Sequence, residues 1–169
     1  MADPPRPTLV IGCGNLLGAD DGVGLAALER LREQFSFPSD VRLEDGGTWG
    51  LNLLPLIEES GRLLLVDAIN DGAAPGTLLV LERDRLPKYF SQKVSPHQID
   101  LREVLALAEF RGTLPAETVA IGVQPERIEM STELSPSVAG RVPDLVNAVV
   151  ARLELWGHAV RPGELPAHA

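Results

Sequence analysis

Four acidic or basic positions in this sequence have the chemistry to form a site. Asp20 and Asp21 lie inside the glycine-rich run GCGNLLGADDGVG at 12–24, Asp67 closes an apolar segment in Val66-Asp67-Ala68, and His97 lies in Ser95-Pro96-His97-Gln98. Asp21, Asp67 and His97 supply two carboxylates and one imidazole from three separate segments. Such a donor set suits a borderline divalent metal and leaves coordination positions open. Each residue also has a plainer reading. Asp20 and Asp21 can complement the dipole of a following helix, although two acids beside a flexible glycine turn point to a site. Asp67 can cap the next turn, and His97 alone would read as a surface histidine. The sequence leaves open whether the three converge.

Other chemistries fit less well. The glycine run invites a dinucleotide reading, but Gly12-x-Gly14 is followed by Gly18 where the fingerprint needs a glycine at 17. Asp20 and Asp21 would also repel a pyrophosphate approaching the helix N-terminus. Ser95 and His97 are too close in sequence to assume a relay, and no Gly-x-Ser-x-Gly elbow occurs. Cys13 is the only cysteine, which excludes an intramolecular disulfide or a cysteine-rich zinc site, and its place after a strand suggests a small buried residue. His158 and His168 lie in or near a tail that reads as loose and carry little weight.

The elements that must position these residues follow an α/β pattern, in which short apolar runs alternate with helical spacing. Strands are expected at 8–11, 41–44, 63–66, 77–81 and 118–123. The solid apolar run 63–66 reads as a central parallel strand. The link from Asp67 through Pro75-Gly76 is too short for a helical crossover, so 77–81 is expected at an edge, as the exception to a parallel sheet. Helices are expected over Gly24–Leu31, over Leu51–Glu59 with Pro55 in its first turn, and after His97 with Leu101, Val104, Leu105 and Ala108 on one face. Ser135 and Pro136 open a final helix with Val138, Val142, Leu145, Val149 and Leu153 inside and a kink at Pro143. In such a fold the functional crevice lies outside the carboxyl ends of the strands, where all three polar segments fall.

Composition sets the outer bounds. The 169 residues amount to about one domain, with a core expected at about 8–155 and loose tails at 1–7 and 157–169. The net charge of −9, from 15 basic and 24 acidic residues, disfavours phosphate backbones and anionic lipid. Aromatic content of 4% further disfavours a base-stacking surface. No apolar stretch resembles a signal peptide or reaches the roughly 18 residues of a membrane span. A cytoplasmic monomer with no nucleic-acid or membrane partner is expected.

Six segments in this order resemble the hydrogenase maturation endopeptidases, which process the large subunit of nickel–iron hydrogenases. They are GCGNLLGADDGVG at 12–24, DGGTWG at 45–50, LLLVDAIN at 63–70, KVSPHQ at 93–98, IGVQPE at 121–126 and LSPSV at 134–138. The resemblance implies a five-stranded twisted, mostly parallel sheet with helices on both faces. It implies removal of a C-terminal peptide from the large-subunit precursor after nickel insertion, with nickel supplied by that precursor. It places metal binding and catalysis on Asp21, Asp67 and His97, and substrate accommodation on Asp45, Gly46 and Gly47, whose glycines would let a peptide backbone approach closely. A non-catalytic assembly module that binds the nickel-loaded precursor is the alternative.

Overall fold

The computed structural model describes residues 4–91 and 101–163. Strand β1 (Thr8–Gly12) is buried along its whole length, as its unbroken apolar character requires. It pairs in parallel with β3 (Val41–Asp45) on one side and β4 (Arg62–Ala68) on the other. β4 pairs in parallel with β6 (Glu117–Val123), and β5 (Leu78–Leu81) closes the far edge antiparallel to β6. The order is β3-β1-β4-β6-β5. The expected antiparallel edge is therefore present. Only residues 69–77 join β4 to β5, too few for a helical crossover back into the sheet.

Alternation along β4 divides the core into two layers. Val10, Leu64 and Val66 face α1 (Val23–Gln34) and α7 (Val142–Leu155). Leu9, Ile11, Leu63 and Leu65 face the other layer. That layer contains α3 (Leu54–Glu59), α4 (Leu86–Phe90) and α5 (Leu101–Phe110). Pro55 falls in the first turn of α3, and Leu101, Val104, Leu105 and Ala108 are all buried. A further short helix, α2 (Gly46–Trp49), follows β3 directly. Among the described residues no helix is long and apolar enough to cross a membrane.

Two expectations need correction. The final helix is not one kinked rod. A short α6 (Pro136–Ala139) ends before Gly140, and α7 starts again with Pro143 in its first turn. There the missing amide costs nothing, whereas mid-helix it would remove a hydrogen bond. The stretch 157–163 is not loose either. β7 (Arg161–Pro162) pairs antiparallel with β2 (Phe35–Ser36), and the Gly163 amide donates to the Gln34 carbonyl at 2.7 Å.

His158 Nε2 lies 2.8 Å from the hydroxyl of Thr8, a residue only 2% exposed at the start of β1. His158→Ala would leave that buried hydroxyl without this partner, at an expected cost of about 1–3 kcal/mol in urea unfolding. A loose tail would give no change.

Candidate active site

Gly12 and Val66 lie opposite one another, as do Gly12 and Asp45, so β1, β3 and β4 end together on one edge. The chain leaves β1 through Cys13, whose amide extends the ladder to the Val66 carbonyl at 2.8 Å. It then closes a compact loop. Asn15 N donates to Asp21 Oδ2 at 3.1 Å, Gly18 N to the Asn15 carbonyl at 3.0 Å and Asp21 N to the Gly18 carbonyl at 3.1 Å. Asp21 is thereby fixed at the point where the loop meets itself, only 5% exposed. Gly14 has a φ of +107° and packs against the main chain of Asp21 and the side chain of Asp67. A Cβ there would lie 1.9 Å from the Asp21 carbonyl oxygen and 3.4 Å from Asp67 Oδ1. Only glycine can occupy that gap.

Asp67 follows Leu63 and Leu65 on the same face of β4, so its side chain enters the layer of α4 and α5. Its Oδ2 accepts from the Tyr89 hydroxyl at 2.7 Å and from Arg102 Nη2 at 2.8 Å. Its Oδ1 accepts from the Ala68 amide at 2.8 Å. Arg102 also lies over the Tyr89 ring, 5.0 Å from its centroid. Burial pushes the Asp67 carboxyl above its ordinary value, while the Arg102 charge and the bonds from Tyr89, Arg102 and Ala68 oppose that rise. Burial and the neighbouring Asp67 push the Tyr89 phenol well up, so it stays protonated and donates.

Asp20 points the other way and is fully buried. Its Oδ2 accepts from the amides of Glu126 and Arg127 and from the Ser135 hydroxyl, and its Oδ1 from the Ser135 amide, all at 2.7–3.0 Å. Ser135 therefore spends its hydroxyl on Asp20 and makes no side-chain cap of α6.

A family model for hydrogenase maturation proteases matches residues 25–152. The chain belongs to that family. It is 40% identical over 161 residues to the hydrogenase expression/formation protein HupD of Rhodobacter capsulatus, covering 94% of this chain and 77% of that protein. It is 35% identical over 157 residues to the hydrogenase 2 maturation protease of Escherichia coli K12, covering 92% and 96%. Among solved structures, the E. coli hydrogenase maturating endopeptidase HybD superposes with a TM-score of 0.84 at 34% identity, over 92% of this chain and 97% of that one. The fold of the maturation proteases is thus the fold of this chain.

Against that family, the sequence-derived site divides into three parts. The main-chain carbonyl of Asp21 and the carboxylate of Asp67 border Gly14 from two elements, while the Asp21 carboxylate accepts from the Asn15 amide. His97 and the neighbouring Ser95 lie outside the described residues, and among the described residues no three metal-ligating side chains cluster. Asp45 ends β3 beside this edge, and its Oδ1 accepts from the Gly47 amide at 2.8 Å. The space that Gly46 and Gly47 leave is taken by the protein itself. A Cβ at 46 would meet the Ile11 side chain at 2.6 Å, and one at 47 the Gly14 carbonyl at 2.6 Å. Cys13 is buried, with its Sγ against the Ile11 carbonyl.

Sequence reasoning missed Tyr89 and Arg102 and did not separate the role of Asp20 from that of Asp21. Tyr89 is the chain's only tyrosine, in a short helix outside every motif. The usable signal for Arg102 was a charge one turn before Leu105, at the flank of the apolar stripe of α5.

The Asp20 clasp has a pH signature. Burial alone would raise its carboxyl, but the amide of Arg127, the amide and hydroxyl of Ser135 and the amide of Glu126 outweigh it and hold the group below the ordinary aspartate value. A depressed native value means stability present above the unfolded value, near pH 4, and lost as pH falls through the native one. Asp20→Ala is expected to cost about 3 kcal/mol at neutral pH by leaving buried amides unsatisfied. Asp20→Asn should flatten the acid limb of stability against pH, measured by urea unfolding between about pH 2 and 7.

Proposed function

We propose that this maturation protease is an endopeptidase that removes the C-terminal peptide of a nickel–iron hydrogenase large-subunit precursor once nickel has been inserted. The observation that supports the reading is that the Asp67 carboxylate and the main chain of Asp21 both pack against Gly14, at the edge where three parallel strands end. His97 is the proposed third ligand, on the strength of the family resemblance. Nickel enters this scheme as part of the substrate. Two carboxylates and an imidazole are hard or borderline donors, and the thiolates of a precursor would supply the soft ones. Each partner contributes part of the shell, so loaded and empty precursor differ in affinity for the enzyme.

Hydrolysis requires water to attack the scissile carbonyl, a base to take its proton, and a proton for the leaving amine. Substrate nickel beside that carbonyl would polarise it. Asp45, Gly46 and Gly47 are proposed to border the bound peptide. Of the two glycines, Gly47 is exposed and supplies the accessible main chain, while Gly46 is buried and packs against Ile11.

The test is tail release, measured by mass, from precursor made with and without nickel. Release from the loaded form alone is expected. Asp21→Asn and His97→Ala should lower that release at least about a hundredfold. Their melting temperatures should stay within a few degrees of the parent's. Equal cleavage of both precursors would overturn nickel recognition. Capture of the loaded precursor with no loss of its tail would overturn the protease reading in favour of an assembly module.

A further inference from the structure

The Asp67 carboxylate is more constrained than a metal ligand or a base needs to be. A carboxylate has about four lone-pair sites, two on each oxygen. On Oδ2 both are used, by the Tyr89 hydroxyl at 2.7 Å and Arg102 Nη2 at 2.8 Å. On Oδ1 the Ala68 amide takes one at 2.8 Å. Among the described residues one site is left, on the oxygen that faces Gly14 and the loop carrying Asp21. The two donors to Oδ2 come from different helices, both are buried, and Arg102 is stacked on the Tyr89 ring. Neither oxygen can turn without breaking bonds to a separate element.

Building on the proposed function, we infer that Tyr89 and Arg102 are positioning residues that close Oδ2 and restrict Asp67 to contact with the substrate's metal through Oδ1 alone. A carboxylate with one open lone pair can ligate an ion or accept a proton, but not both together. Asp67 is therefore a one-oxygen ligand, and the base for the attacking water is a different group. The pair does more than neutralise a buried acid: it selects which oxygen is presented and in which direction.

The experiment uses the full chain and measures two affinities, for nickel-loaded and nickel-free precursor, alongside tail release. Tyr89→Phe removes one hydroxyl and leaves the ring in place, and Arg102→Lys keeps the charge but not the planar fork. Each should lower the ratio of loaded to empty affinity, and tail release with it, about 10–100-fold, the usual effect of losing a partner that orients a ligand. Affinity for the empty precursor should not change, whereas a purely structural role would lower both affinities equally. In an Asp67→Asn background Tyr89→Phe should have no further effect on the ratio, because it acts only through Asp67. An unchanged ratio in Tyr89→Phe, or an equal drop in both backgrounds, would overturn the positioning role. If Asp67→Asn itself left the ratio and the tail release intact, the proposed site would fail as well, so the two failures are separable. Should Arg102→Lys or Asp67→Asn not fold, the comparison of loaded and empty precursor in Tyr89→Phe still decides.

Discussion

A carboxylate buried at the end of the central strand sets the terms for the elements around it. Asp67 is 2% exposed, and an ionised carboxylate removed from water costs several kcal/mol unless it is paired and hydrogen-bonded. The compensation comes from outside the sheet. Strand alternation sends the side chain toward α4 and α5, so those helices must bring Tyr89 and Arg102 within bonding distance. The backbone at the same point is crowded by its neighbours. Gly122 stands opposite Asp67 on β6, where a Cβ would come 2.1 Å from the Asp67 carbonyl, and Gly14 lies against its side chain. The glycine run, the end of β6 and two helices of the second layer are thus fitted to one residue.

Adjacent acids in the glycine run have opposite tasks for a related reason. Ala19–Gly22 form one turn of 3₁₀ helix, in which successive side chains point about 120° apart. Asp21 is held on the side of Asn15 and Gly14, while Asp20 turns inward to the segment 126–135. Amides of that segment solvate the Asp20 charge, and an array of aligned N–H groups can hold an anion without a cation. Ala19 N and Ser131 O, and Ser131 N and Leu17 O, tie the same two loops together. The loop that presents Asp21 is therefore braced from behind by its neighbour in sequence.

How much of this was legible follows from the range of each signal. The parallel strands were readable because apolar runs ending in polar turns are local, and the edge strand because linker length limits topology. Asp21 and Asp67 were readable as unusual polar residues at strand ends. Asp20 was not separable from Asp21, because the turn that sends them apart depends on partners more than a hundred residues away. Arg102 and Tyr89 were invisible for a similar reason. A charge flanking an apolar stripe normally faces solvent, and nothing in the sequence shows that an acid on a distant strand awaits it. The segment 157–163 was misread because proline and glycine marked it as loose, while its pairing with Phe35–Ser36 is non-local. His97 rests on the resemblance alone.

The Asp67–Arg102 pair also bears on how the proposed site would treat a dication. Stripping water from a hydrated divalent ion requires concentrated negative charge or soft donors. Of the two acids beside Gly14, one already carries a guanidinium at 2.8 Å, so the field it offers to an incoming cation is reduced by that contact. A resident-metal site would gain by omitting Arg102. A site that meets a metal already held by another protein has the opposite need, because strong intrinsic affinity would draw free ions and block discrimination between loaded and empty substrate. Under the proposed function, Arg102 would make the site a poorer scavenger while fixing the oxygen it presents, and both effects would favour an ion delivered with its own ligands.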